Sequence, residues 1–273
     1  MTGTAFQPWL DRWGLVPDGE AFSTPYTGSW LLPVRRAGAP AMLKLATAPE
    51  ERAGGALMAW WDGQGAAPVL ARQGEALLLE RAMGGASLVE MAKSDDGAAT
   101  RILCRTAMGL HAPRSGSPQA SLVPLRRWFA ALGPGADRHG GVLALAHATA
   151  QALLDAPCDV TVLHGDIHHE NVLDFGPKGW LAIDPKGLIG ERGFDYANIF
   201  CNPDPLVAAA PERLRRQAKV VVETADLEPR RLLQWILAYA GLSASWTLEA
   251  AKDRDEAMAA LTIAEIAAAE LSL

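Results

Sequence analysis

Apolar positions along this chain follow two different rhythms. Over the first eighty residues they come in short runs broken by Gly and Pro, which predicts strands rather than long helices. Residues 21–27 and 29–34 read as two strands around Gly28, residues 36–40 as a turn, and residues 41–45 as a third strand. One helix follows. Its start, Thr47-Ala48-Pro49-Glu50, has the form of a capping box, with Thr47 at the N-cap, Pro49 near the first turn and Glu50 at N3. Leu57, Met58, Trp60 and Trp61 recur at helical spacing, and Asp62-Gly63 ends the pattern. Two further strands are expected near residues 69–70 and 76–80.

Met83-Gly84-Gly85 breaks this rhythm. Beyond it helical periodicity dominates, over residues 100–111, 125–132, 142–154, 211–222, 229–248 and from 252 to the end. Three strand-like runs, at 160–163, 172–175 and 180–183, interrupt the helices. The pattern predicts an α+β fold in two lobes. Residues 1–83 form a small antiparallel-sheet lobe with one helix, and residues 84–273 a larger, mainly helical lobe with a strand insert.

Composition narrows the functional classes. With 273 residues, 49% apolar and 21% charged, the chain can bury a sizeable core and is no disordered tail. A formal charge of −6 argues against nucleic acid as the main partner, since phosphate binding needs a basic face. Cys104, Cys158 and Cys201 are sparse, lack C-x-x-C spacing and read as reduced thiols buried as small hydrophobes. The start lacks a basic segment followed by an apolar run, and no window reaches the roughly 20 apolar residues of a membrane span. The expectation is a soluble cytoplasmic protein without a membrane partner; nothing in the sequence speaks to its oligomeric state.

The strand insert carries the chemistry. It reads His164-Gly165-Asp166-Ile167-His168-His169-Glu170-Asn171, with Ile183-Asp184-Pro185 following. Asp166 and Asn171 share one loop between two strands, and Asp184 ends the strand paired beside it. A carboxylate and an amide oxygen so placed can share Mg²⁺, a hard cation that keeps waters and phosphate oxygens in its other positions. Asp166 is then left to accept a proton from a substrate hydroxyl. This is the constellation of phosphoryl transfer in kinases, which also need a strand lysine for the nucleotide phosphates and a helix glutamate to hold it. Lys44 lies on the predicted third strand in an apolar run. Glu50 is assigned to the capping box, so Glu51 is its expected partner. For the loop over the phosphates, residues 23–29 offer Gly28 and Ser29 but no G-x-G-x-x-G. A zinc site on His164, His168 and His169 is a poor reading, since zinc usually takes four ligands and no cysteine is near.

Three more runs accompany the motif loop: Gly179-Trp180-Leu181-Ala182-Ile183-Asp184-Pro185-Lys186-Gly187-Leu188-Ile189-Gly190-Glu191, Trp61-Asp62-Gly63-Gln64-Gly65-Ala66 and Tyr239-Ala240-Gly241-Leu242-Ser243-Ala244-Ser245-Trp246. With them, nearly the whole chain resembles the aminoglycoside phosphotransferase family of kinase-like enzymes, and within it streptomycin 6-phosphotransferases and hydroxyurea phosphotransferases. The resemblance implies ATP and Mg²⁺ as cofactors, Asp166 as catalytic base and Asn171 and Asp184 as metal ligands. It implies that Lys44 binds the α- and β-phosphates and that the segment from Glu80 through Ala82 to Met83 meets adenine through its backbone. His168 falls where protein kinases carry a lysine near the γ-phosphate. His164 is expected to brace the loop, and Asp195 to hold its backbone. Pro185 stands where protein kinases have the Phe of D-F-G, and no A-P-E follows, which argues against a phosphorylation-regulated protein kinase.

The implied acceptor is a small polar molecule such as streptomycin, phosphorylated at its 6-hydroxyl. Its guanidinium groups call for carboxylates, for which Glu191, Asp204, Asp255 and Glu256 are available in the second lobe. Trp235 and Trp246 are expected in the core rather than as sugar platforms. Two alternatives stand beside this reading. One is a metabolic kinase of the same fold acting on an amino alcohol or sugar; the other is a nucleotide-binding scaffold without turnover.

Overall fold

The computed structural model describes residues 3–23, 28–46, 48–250 and 254–272. After helix α1 (Gln7–Trp13), strands β1 (Leu15–Pro17), β2 (Phe22–Ser23), β3 (Trp30–Arg36), β4 (Ala39–Leu45), β5 (Val69–Gln73) and β6 (Ala76–Glu80) form one antiparallel sheet, with helix α2 (Pro49–Trp61) between β4 and β5. The strand order is β1-β3-β4-β6-β5, with β2 also on β3, which makes β4 central. Alternation along the strands sorts the two faces. Leu32, Val34, Ala41, Leu43, Leu45, Ala76 and Leu78 share a core with Phe6 and Leu10 of the α1 segment. Leu77 and Leu79 point the other way, into a core with Leu57, Met58 and Trp61 of α2. Lys44 is in the same phase as Met42, so it too faces α2.

Several expectations change here. The first lobe has two helices, because α1 was too short for its periodicity to register; Gly14 ends it in the left-handed region, φ 61°. The N-cap of α2 is Ala48, with no side-chain cap and Pro49 at the first position, so Glu50 stands at N2 rather than N3. Thr47 and residues 24–27 of the expected phosphate loop lie outside the described residues.

Residues 81–87 lead into helix α3 (Leu88–His111), which starts twelve residues before the expected position. Ser87 caps it by accepting from the Glu90 N–H, and a break at Asp95 (φ −145°, ψ 80°) divides it. Asp95 Oδ1 then accepts from the Ala98 N–H at 2.8 Å and restarts the helix. The polar run through this break hid the first half from periodicity.

The rest comprises β7 (Val123–Pro124), α4 (Leu125–Trp128), α5 (Leu132–His139), α6 (Gly141–Asp155), β8 (Val160–Leu163), β9 (Val172–Asp174), β10 (Trp180–Ala182) and β11 (Leu188–Glu191). Helices α7 (Phe194–Ala197), α8 (Pro205–Ala208), α9 (Pro211–Ala225), α10 (Pro229–Ala250) and α11 (Arg254–Leu271) complete it. Strands β9 and β10 form the expected hairpin. Strand β8 instead pairs with β11, which the sequence reading missed, and β11 pairs with β7. The loop that holds Asp166 is therefore gripped between two separate ladders. Helix α10 packs on α6 and α11, and Phe194 meets Phe129, Trp235 and Tyr239 edge-on at 5.7–5.8 Å. Trp235 is core as expected, and Trp246 packs on Trp128 at 5.3 Å. Of the cysteines, Cys104 is buried but Cys158 is exposed, because it follows α6 in a surface turn.

The cores of the two lobes are joined through α2. Trp61 is fully buried, donates Nε1–H to Leu110 O at 3.1 Å, and stacks on His164 of the motif loop at 6.2 Å. The turn after α2 also pairs with β10: Ala67 N–H donates to Ala182 O, and Ala182 N–H to Gly65 O, each at 2.9 Å. A helix welded at this end holds its first turn in a defined place over the cleft.

Candidate active site

Loop geometry around Asp166 begins with Gly165, whose φ of 86° favours glycine. A Cβ there would sit 2.8 Å from Leu188 and 3.1 Å from Lys186 Cβ. Asp195, buried at the start of α7, gathers the turn as expected. Its Oδ1 accepts from Gly165 N at 2.7 Å, and its Oδ2 from His164 N at 2.9 Å and faces His111 Nε2 at 2.8 Å. His164 braces the loop. Its Nε2 donates to Ile183 O at 2.8 Å, and its Nδ1 accepts from Asp166 N at 3.2 Å. Burial pushes this imidazole below its usual pKa, against the pull of Asp195 and Asp166, and with both ring nitrogens engaged it offers no zinc ligand.

Asp166 is held from several sides. Asn198 Nδ2 donates to Oδ1 at 2.9 Å, Asn171 Nδ2 to Oδ2 at 3.2 Å, and Lys186 Nζ stands 3.1 Å from Oδ2. His168 Nε2 is 3.9 Å from Oδ1. Burial alone would raise the carboxyl pKa, but the neighbouring His168 imidazole and the charge and hydrogen bond of Lys186 hold it below the usual carboxylate value. Burial opposes the charge on Lys186 as well, yet Asp166, Glu51 and Asp184 keep that ammonium above its ordinary value. Lys186 and Asn198 are the contacts that sequence reasoning missed; Lys186 was visible only as part of a run, without a role.

Asn171 and Asp184 are side by side because Ile183 N–H donates to Asn171 O at 2.9 Å, extending the hairpin. Asp184 lies beyond β10 in the left-handed region, φ 59°. Asn171 Nδ2 is turned to Asp166, which leaves its amide oxygen for another partner. Amide and carboxylate oxygens together are hard donors that fit Mg²⁺. Asp184 Oδ1 also receives Lys44 Nζ at 2.8 Å, and Lys44 pairs with Glu51 on α2, so the expected lysine–glutamate pair is made. Ser29 is fully buried and gives its hydroxyl to Glu51 at 3.4 Å. Its side chain thus backs the Lys44–Glu51 ion pair. Gly28, φ 65°, precedes it in the left-handed region.

Helix α2 reaches this cluster through a glycine. A Cβ on Gly54 would meet Pro185 O at 2.3 Å, whereas one on Gly55 would meet only the movable end of Leu77 at 3.3 Å. Alanine in a helix ordinarily stabilises by up to about 1 kcal/mol over glycine. Backbone overlap outweighs that gain at Gly54, so Gly54→Ala is expected to destabilise by about 1–3 kcal/mol. It should also loosen Glu51 from Lys44. Thermal melting beside Gly55→Ala checks this; a Gly54→Ala protein that melts above wild type would refute the close approach.

The connection between lobes is tied to the β9–β10 hairpin. Gly84 N–H donates to Asp174 O at 2.9 Å, a Cβ at Gly84 would overlap the Asp174 carboxylate at 1.9 Å, and Glu80 pairs with Lys178. Ala82 lies half-buried between these ties. Among the candidate acceptor carboxylates, Glu191 is taken up internally. It is buried, bound by Arg231 at 2.6 Å and by Trp235 Nε1 at 2.8 Å, and accepts from Cys158 N at 3.0 Å. Asp204 Oδ1 accepts from Val207 N at 3.2 Å at the start of α8, while Asp255 and Glu256 are exposed at the start of α11.

Residues 12–251 match the family described as aminoglycoside/hydroxyurea antibiotic resistance kinase. The chain belongs to that family. It is 55% identical over 244 residues to a streptomycin 3''-kinase of Klebsiella pneumoniae, covering 87% of this chain and 90% of the relative. It is 31% identical over 274 residues to a streptomycin 6-kinase of Streptomyces griseus, covering 96% and 86%. A thermostable mutant of the aminoglycoside phosphotransferase APH(4)-Ia, solved as a ternary complex with AMP-PNP and hygromycin B, superposes with a TM-score of 0.71 at 15% identity, covering 99% and 100% of the two chains. That likeness confirms the two-lobed kinase-like fold. Among the described residues no helix is long and apolar enough to cross a membrane.

Proposed function

We propose that this kinase transfers the γ-phosphoryl group of ATP to a hydroxyl of streptomycin, inactivating the antibiotic. The observation that carries the reading is Lys44, which meets both Glu51 and, 140 residues away, Asp184, at the mouth of the loop that holds Asp166. Lys44 would bind the α- and β-phosphates, steadied by Glu51, with the backbone of Glu80 through Met83 against adenine and His168 near the γ-phosphate. Mg²⁺ held by Asn171 and Asp184 would supply charge neutralisation on the phosphate oxygens. Asp166 orients the acceptor hydroxyl and takes its proton as the oxygen–phosphorus bond forms and the bond to ADP breaks.

For the position attacked, the 6-hydroxyl is retained from the sequence expectation and is the position named for the Streptomyces relative at 31% identity, while the Klebsiella relative, at 55% identity, is named for 3''. A coupled ADP-release assay with streptomycin against choline, homoserine and simple sugars tests the acceptor, and NMR of the product locates the phosphate. Turnover confined to streptomycin with phosphate on the 6-hydroxyl is expected. Phosphate at 3'' would overturn the position alone. Turnover only on another acceptor would make this a metabolic kinase, and nucleotide binding without turnover a scaffold.

A further inference from the structure

Asp166 is oriented by two amides before any cation is counted. Asn198 holds Oδ1 at 2.9 Å and Asn171 holds Oδ2 at 3.2 Å. Asn198 is itself steadied by Asn202 Nδ2, which donates to its Oδ1 at 2.9 Å. Lys186 therefore adds little to the aim of the carboxylate, and as a salt bridge it makes Asp166 a weaker base. An ammonium kept beside a general base needs another task. Its placement suggests one. The backbone is anchored, Lys186 N–H donating to His164 O at 2.7 Å, while the side chain keeps 24% of its surface exposed and stands 3.1 Å from Asp166 Oδ2. Asp184, two residues earlier in the chain, receives Lys44 Nζ at 2.8 Å. The ammonium thus stands beside the group that takes the proton, on the segment that follows the partner of Lys44, and nearer to Asp166 than His168 Nε2 at 3.9 Å.

We propose that Lys186 is a second catalytic residue, whose ammonium binds an oxygen of the phosphoryl group in transfer and so releases Asp166 to the acceptor hydroxyl. The proposal rests on the kinase reading above. In the step, the acceptor oxygen bonds to phosphorus, the bond from phosphorus to the β,γ-bridging oxygen breaks, and that oxygen leaves with ADP. The hydroxyl proton goes to Asp166, and Lys186 neither gains nor loses one. The phosphoryl group carries its charge on three outer oxygens at the midpoint of transfer. A fixed ammonium in a partly water-excluded site is suited to meet that charge.

Aluminium fluoride with Mg-ADP mimics the transferring group, so its binding tests the role apart from turnover. Lys186→Gln retains hydrogen bonding to Asp166 and removes the charge; Lys186→Arg retains the charge. Calorimetry should show Mg-ADP bound by both variants and wild type within about threefold. The extra affinity from aluminium fluoride should fall about 10²-fold in Lys186→Gln, with a parallel fall in kcat, and be largely kept in Lys186→Arg. A Lys186→Gln protein that gains as much from aluminium fluoride as wild type would make the lysine a structural partner of Asp166 and overturn the proposal. If Lys186→Gln fails to bind Mg-ADP, Lys186→Met and Lys186→Arg decide by the same ratio. Wild type that gains nothing from aluminium fluoride would overturn the kinase reading itself.

Discussion

Replacing Asp166 by alanine is expected to lower kcat by about 10²–10⁴-fold, while Mg-ATP binds within a few-fold of wild type. Nucleotide affinity is assigned to Lys44 and Asp184, and their contact at 2.8 Å does not involve Asp166. The carboxylate meets Asn198, Asn171 and Lys186, so its loss leaves two amides and one ammonium on a cleft that water reaches, and folding should survive. Asp166→Asn is the sharper control, because it preserves shape and removes the proton acceptor. Steady-state kinetics with streptomycin, paired with Mg-ATP titration calorimetry, separates the two effects. A variant within about threefold of the wild-type kcat would remove Asp166 from the mechanism.

The second large effect is expected at Asp195, a residue that touches neither substrate nor metal in this scheme. Its carboxylate is fully enclosed and accepts from the amides of Gly165 and His164 while facing His111. Asp195→Asn would turn an N–H₂ group toward donors that have no other partner in this turn. Losing a buried charged acceptor of this kind destabilises by about 3–5 kcal/mol, which corresponds to a fall in Tm of roughly 10 °C for a chain of this size. Turnover should fall with it, because Gly165 and Asp166 share that turn. Calorimetric melting checks the first claim, and kcat measured well below Tm checks the second. An unchanged Tm would show that the loop is held by its two ladders alone.

Much of the site was legible because its parts are close in sequence. The spacing from Asp166 to Asn171 fits one loop, and Asp184 follows just past the second strand of a hairpin, so local pairing brings the three together. Lys44 could be placed by strand alternation, since Leu43 and Leu45 had to face a core and Lys44 the opposite side. Choosing Glu51 over Glu50 came out correctly for a different reason than expected, because Ala48 rather than Thr47 caps α2. Ser29 shows the opposite case. Its hydroxyl made it a candidate for phosphate, and only the fold shows that it is buried against Glu51.

What the sequence by itself determined was the set of candidate groups: a carboxylate proposed as base, two hard oxygen donors and a strand lysine, each set by short-range spacing and by the period of its own element. Tertiary structure decided which other groups face them. Strand β11, with Gly190 among its four residues, was not read from the sequence, yet its pairing with β8 and β7 sets the grip on the motif loop. Lys186 and Asn198 reach Asp166 only after the hairpin and α7 have folded over it, and Gly54 matters only because α2 comes down on Pro185. Such contacts depend on the separation of backbones that are distant in sequence. No periodicity or local spacing encodes that distance; packing of the shared core through Trp61 does.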